Sequence, residues 1–221
     1  MDNYRLDRRL LAQEWPAILV LLMMLVGALV IYPYLPERVP VHWNAVGEVD
    51  NYGSRAFGAF MFPLMTVGLY VLMLVLPLVD PRRENYSKFM GAYRVIRLGF
   101  VIFMAVLYGL ILTASMGYYV PMDRVMPALM GFLFILIGNY LPRIRHNYFV
   151  GIRTPWTLAD EEVWRRSHRF GGIAFVLAGV ISLGVAFVAR GTVAFIVVIS
   201  AVMLAAVLSA GYSLLIYRQK G

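Results

Sequence analysis

The 221-residue chain is 61% hydrophobic and only 14% charged, with a mean hydropathy of +0.73. Those values exclude an ordinary soluble domain and point to a chain that crosses a membrane several times. The net charge of +8 admits an anionic partner, while zero cysteines exclude disulfides, thiolate catalysis and cysteine-ligated metals.

Residues 1–15 hold Arg5, Arg8 and Arg9 against Asp2, Asp7 and Glu14. The apolar run at 16–35 is long enough to cross the ~30 Å hydrocarbon core. Trp15, Tyr32 and Tyr34 stand at its ends, where aromatic belts sit. It is too long for a signal-peptide core and has no small-residue cleavage site, so an uncleaved first span is expected. Further spans are expected at about 57–79, 98–120, 125–141, 171–189 and 192–217. Backbone groups in lipid must be satisfied within each segment, so all six are helices.

The connectors fix the orientation. The N-terminus, 80–97, 142–170 and the C-terminus hold 16 of the 20 basic residues, and the alternate connectors hold Arg38, Arg55, Arg124 and Arg190. By the positive-inside rule both termini face the cytoplasm. This distribution accounts for the net charge, so no direct nucleic-acid partner is needed; the partner it requires is the lipid bilayer. The expected fold is an all-α integral membrane protein with six transmembrane helices, both termini inside, one ordered external loop and one amphipathic cytoplasmic helix.

No charged residue or histidine falls inside the six spans drawn above. Coupled transport of ions or charged solutes normally needs such groups near mid-membrane, which disfavours it. The last two spans carry small residues at four-residue spacing, Ala174/Ala178/Ser182/Ala186 and Ala201/Ala205/Ser209/Ser213. Such stripes let neighbouring helices approach closely, and a short turn at 190–192 makes these two antiparallel neighbours.

The external loop at 36–56 is 21 residues long, and loops of that length are usually functional or ordered on themselves. Val41, Trp43, Val46, Val49 and Tyr52 suit a small apolar cap on the helix ends. His42, Trp43, Asn44, Glu48 and Asp50 are its candidate ligand residues. His42, Glu48 and Asp50 have side chains able to bind a divalent metal, although H-x5-E-x-D matches no strong ligand pattern. The other reading has His42 and Asn44 hydrogen-bonded within the loop and the carboxylates in solvent or paired with Arg38 or Arg55. No cofactor is otherwise indicated.

The sequence LPERVPVHWNAVGEVDNYGSR resembles the signature of a bacterial and archaeal membrane domain of unknown function, L-P-x-x-[VI]-P-x-H-W-N-x-x-G-x-x-D. That domain commonly precedes an SdpI-type domain. The resemblance implies a two-span unit at 1–80 and a four-span SdpI-type unit at 81–221.

The inner connector divides in two. Residues 142–156 have no helical period, and Gly151 and Pro155 interrupt them. Tyr148, Phe149 and Trp156 suit the headgroup zone, with Arg143, Arg145 and Arg153 reaching lipid phosphates. Thr157, with Asp160 three residues on, reads as a capping box, so a helix is expected over about 158–169. It would carry Glu161/Arg165 and Glu162/Arg166 pairs and a Trp164/His168 face. The candidate cytoplasmic docking surface comprises Asn147, Gly151, Arg153, Thr154, Trp156, Thr157, Trp164, His168 and Arg169. Catalysis is poorly supported, since the chain has no H-E-x-x-H, no phosphate loop and no serine nucleophile motif.

This stretch resembles the SdpI family signature, N-Y-x-x-G-I-R-T-P-W-T-L-x-x-x-x-V-W-x-x-[ST]-H-R-x-G-G. It matches at Asn147, Tyr148, 151–158, Val163, Trp164 and 167–172, and departs from the family at His146, where proline precedes the asparagine. The resemblance implies a multi-pass protein of the prokaryotic cytoplasmic membrane that confers immunity to a secreted peptide toxin. In the best-known member it also relays toxin sensing by holding a repressor at the membrane. The competing readings are a membrane-embedded metal-dependent enzyme with an external His42/Glu48/Asp50 site, and lipid or small-solute transport.

Overall fold

A computed structural model describes residues 4–220. The helices are α1 (Arg8–Gln13), α2 (Trp15–Ile31), α3 (Arg55–Val79), α4 (Tyr86–Ser115), α5 (Met122–Tyr140), α6 (Pro155–Ala159), α7 (Glu161–Val188) and α8 (Gly191–Arg218). Six of them, all but α1 and α6, are long and apolar enough to cross a membrane. The protein is an all-α multi-pass membrane protein with one small addition, an antiparallel hairpin of β1 (Arg38–Trp43) and β2 (Val49–Ser54).

The helices pack as two groups of three. α4 lies against α2 and α3, while α7 packs on both α5 and α8. α4 thus sides with the first two spans, while also touching α5. The third span also starts and ends earlier than the apolar run suggests, at Tyr86 and Ser115 rather than 98 and 120. Gly117 (φ +86°) turns the chain out of the helix.

Proline explains how α3 and α4 fit. Pro63 and Pro77 lie inside α3, and a proline leaves the carbonyl four residues earlier without its N–H partner. The orphaned acceptors are Ala59 O and Met73 O. Tyr108 of α4 donates to Ala59 O at 2.8 Å, and Tyr93 of α4 donates to Met73 O at 2.5 Å. Two tyrosines on one helix thus supply the two bonds that lipid could not.

The second group is held by glycine. A β-carbon on Gly131 would come within 2.8 Å of Gly179 O, and one on Gly138 within 2.7 Å of Gly172 O. The converse contacts from Gly172 and Gly179 are as tight, at 2.8 and 2.7 Å. α5 and α7 therefore touch backbone to backbone at two levels seven residues apart. The small residues of α7 and α8 pack as their spacing predicts, with Ala178, Ser182, Ala205, Ser209 and Ser213 all buried.

Charge does enter the helical bundle. Glu14, at the start of α2, is 1% exposed and bonds Arg97 of α4, which is fully buried and lies over the Tyr93 ring at 4.4 Å. Tyr70 of α3 donates to the other Glu14 oxygen at 2.7 Å. Arg97 lies one residue before the third span as drawn from hydropathy. The helix extends past that boundary with its arginine paired to Glu14, which offsets part of the cost of burying the charge.

Candidate functional site

The basic end of the bundle, which carries both termini, holds a compact arrangement built from residues 144–168. Asn147 organises it and is fully buried. Its amide donates to Arg145 O (2.8 Å) and Val150 O (3.0 Å), and its oxygen accepts from the N–H groups of Phe149 (2.9 Å) and Val150 (2.7 Å). An irregular segment cannot satisfy its backbone through a helix or sheet, so one asparagine does so from within.

The loop after α3 grips this segment. Asp80, 3% exposed, accepts from Arg82 N–H (2.8 Å) and Tyr148 N–H (2.9 Å). The Tyr86 hydroxyl lies 3.0 Å from Asp80 Oδ2 and 3.2 Å from Asn147 Oδ1, and Asn85 donates to His146 O at 2.8 Å. Arg82 also lies over the Tyr148 ring at 5.2 Å.

Gly151 explains the next turn. Its φ of +114° is open to glycine, and a β-carbon there would overlap His168 Nε2. That nitrogen accepts the Ile152 N–H at 3.1 Å, while His168 Nδ1 donates to Trp164 O at 2.8 Å. Both ring nitrogens are used, which fixes a neutral imidazole with its proton on Nδ1. Trp164 stacks on His168 with centroids 4.0 Å apart, lies 4.9 Å from His146 and donates its indole N–H to Ile144 O at 2.9 Å. Burial, then the nearby Arg82, lowers the His146 pKa below its ordinary value.

Thr154 and Thr157 form the capping box, one turn earlier than the sequence suggests. Thr154 Oγ1 accepts the Thr157 N–H at 3.2 Å, and Thr157 Oγ1 accepts the Thr154 N–H at 2.9 Å. Thr157 also donates to Ile152 O at 2.9 Å, and Thr154 bonds Ser213 of α8 at 2.9 Å. Pro155 suits the first position of the short α6. Asp160 then caps a new helix through Val163 N–H at 2.9 Å. The amphipathic helix expected over 158–169 is therefore not separate: Leu158 and Ala159 end α6, and residues 161–169 form the first turns of α7, which runs without a break through Gly171 and Gly172 into the fifth span.

This geometry corrects the docking surface. Trp164 is 2% exposed, and Asn147, Thr157 and His168 are fully buried. Their hydrogen-bonding groups and rings face one another, so they shape the surface without forming it. Arg153 and Arg169 are exposed, Trp156 is half-buried, and Arg153 donates to Tyr148 O at 3.1 Å. The sequence reading missed Asp80, Tyr86, Glu14 and Arg97. Glu14, Asp80 and Tyr86 stand at helix ends and Arg97 inside α4, and each meets a partner far along the chain, so no local spacing reveals it.

At the opposite end the hairpin is ordered on itself. Asn44 Oδ1 accepts the N–H groups of Val46 and Glu48, both at 3.0 Å, and shapes the turn. His42 Nδ1 lies 2.5 Å from Asp50 Oδ1, while Glu48 approaches Asn44 at 3.5 Å. The three candidate metal ligands do not converge, and among the described residues no three His, Asp or Glu side chains group to hold a metal. Trp43, Asn44 and Ala45 instead wall a cavity of about 250 Å³ with the starts of α5 and α8. Met122, Met126 and Met130 line one side, and Phe195, Val198 and Ile199 another.

Comparison with known proteins bears on both ends. The profile of the SdpI/YfhL protein family matches residues 143–213, from the organised segment through most of α8. Residues 143–213 are thus similar to the SdpI/YfhL family. A domain of unknown function, DUF1648, matches 18–67, which covers most of α2, the hairpin and half of α3. The chain is 26% identical over 193 residues to a Bacillus subtilis (strain 168) protein named Immunity protein SdpI, covering 87% of this chain and 90% of that one. No solved structure matches. The SdpI/YfhL region thus contains Asn147, Gly151, the capping box and the Trp164–His168 stack, and the DUF1648 region contributes the hairpin wall of the outer cavity.

Proposed function

We propose that this chain protects the cell that makes it from a secreted peptide toxin, which it binds at the hairpin end. It acts in the cytoplasmic membrane of a prokaryote with both termini inside, the orientation favoured by its Lys and Arg distribution. The likeness to a protein named for immunity runs through nearly the whole of both chains. The single observation that carries the binding step is the cavity between Trp43–Ala45 and the starts of α5 and α8. It has an apolar lining rich in methionine, which repacks around varied side chains, with Asn44 and Asp123 at its polar edge. Such a cavity takes an apolar side chain of a peptide arriving from outside. At the basic end the exposed Arg153 and Arg169 with Trp156 form a surface for a protein partner, held in shape by the buried network beneath.

The test is a challenge of sensitive cells expressing the chain with culture supernatant from the source organism. Wild type is expected to restore survival, and Met126→Trp, which fills the cavity, to abolish protection at unchanged membrane level. Arg153→Ala/Trp156→Ala is expected to lose partner recruitment while leaving toxin binding intact. Full protection by Met126→Trp sinks the cavity as the binding site; no protection by wild type sinks immunity itself.

A further inference from the structure

We propose that the groove between α5 and α7 at the basic end is a binding site for an anionic glycerophospholipid. The groove encloses about 650 Å³ and exists because Gly138 and Gly172 bring two backbones together without side chains to fill the space above them. Arg145 stands on one wall, and Arg165 and Arg169 on the other. Arg165 pairs with Glu162, but among the described residues neither Arg145 nor Arg169 meets a carboxylate. The groove mouth therefore carries three guanidinium groups against one carboxylate.

Sequence and helix geometry set what lies below. Arg165, Arg169, Ile173 and Leu177 follow at four-residue steps on α7, so two cationic turns sit directly above two apolar ones. At 1.5 Å per residue, Arg169 to Leu177 spans about 12 Å along the helix. Ile173 and Leu177 are 60% and 57% exposed on a membrane-spanning helix, and Val176 lines the same floor. A phosphate held between Arg145 and Arg169 places its glycerol and first methylenes along Ile173, Val176 and Leu177. A free phosphate leaves that floor uncovered, and a zwitterionic headgroup brings an ammonium against the guanidiniums. Both favour a lipid with net negative charge.

Native mass spectrometry of the full chain, released from detergent, tests this with phosphatidylglycerol and phosphatidylcholine of identical acyl chains. Wild type is expected to retain one phosphatidylglycerol in clear preference to phosphatidylcholine. Arg145→Gln/Arg169→Gln is expected to bind it on the order of tenfold more weakly. Arg83→Gln, an exposed charge on the other helix group, is expected to bind as wild type does. Val176→Trp, which fills the floor and keeps every charge, is expected to lose the lipid as well. Equal retention of both lipids overturns the proposal, as does a double variant that binds like wild type. Inorganic phosphate that competes the lipid off at millimolar concentration, with Val176→Trp unaffected, also overturns it, by reducing the site to an anion site.

Discussion

Replacing Gly151 with alanine tests the inner network at its tightest point. The residue sits at φ +114°, a conformation that costs an L side chain about 1–3 kcal/mol. The new β-carbon also meets His168 Nε2. That ring cannot step aside freely, since it stacks on Trp164 at 4.0 Å and donates to Trp164 O at 2.8 Å. If it moves, the Ile152 N–H loses its acceptor, and an unsatisfied buried donor costs about 1–3 kcal/mol. The sum is a destabilisation of about 2–6 kcal/mol. Reversible unfolding in mixed micelles with SDS measures it, with tryptophan fluorescence as the signal. His168→Ala provides the control: in that background the overlap is gone, so Gly151→Ala is expected to cost only the backbone part, about 1–3 kcal/mol. A Gly151→Ala change of less than about 0.5 kcal/mol in the native background, the range of an ordinary surface substitution, refutes the reasoning.

Four further outcomes follow from the same structure. Tyr108→Phe leaves Ala59 O unsatisfied and is expected to cost about 1–2 kcal/mol, but much less when Pro63→Ala restores an intrahelical donor; a double-mutant cycle reads the coupling. Asn147→Ala removes the internal support of residues 145–150 and is expected to destabilise by about 3 kcal/mol or more; limited proteolysis should then cut there first. Glu14→Ala strands the buried Arg97 and is expected to cost about 3–5 kcal/mol, whereas Glu14→Leu/Arg97→Met recovers most of it in the same denaturation. His146 has a folded pKa below its ordinary 6.5, so below that pH the unfolded chain binds the extra proton; stability should fall as pH drops from 6.5 towards the depressed value, and His146→Phe should flatten the slope.

The six spans and their packing partners were partly legible because lipid imposes long apolar runs and small-residue stripes on any such chain. Hydropathy alone misplaced the third span, since it stops at the first charge and cannot know that Arg97 meets Glu14 83 residues away. The glycines that lock α5 to α7 were overlooked for a related reason: their spacing of seven is visible only when two distant segments are laid antiparallel. At the inner site, Gly151 and the threonine–proline pair at 154–155 carried a local signal that survives in the structure, as a turn and a cap shifted by three residues. The Trp164/His168 face misled, because one-turn spacing places two side chains together but does not say which way they point. Here burial of the indole and a neutral, doubly bonded imidazole decides it. At the hairpin, the reading of His42 and Asn44 as hydrogen-bonded within the loop is the one the structure shows, with His42 against Asp50 and Asn44 shaping the turn, although the partner of His42 lies eight residues on and is not fixed by local spacing.

The two ends are joined through backbone rather than side chains. At the hairpin turn, Gly47 lies so close to α5 that a β-carbon on it would come within 2.9 Å of Asp123 N. α5 then meets α7 at Gly131–Gly179 and Gly138–Gly172, and the turns of α7 just before Gly172 carry Trp164 and His168. Side chains can change rotamer to absorb a displacement; backbones in direct contact cannot. Trp43 and Met122 line the outer cavity together, so a ligand bound there as proposed above would touch α5 directly, while Arg145, which follows α5, and Arg169, on α7, flank the groove at the basic end. Contiguity supplies a route, and coupling along it further requires that α5 have two stable seats against α7. Val176 lies against Gly138, Ile135 against Gly179 and Leu183 against Gly131, so side chains key the two helices at the glycine contacts and a shift of α5 would have to carry them to a second seat.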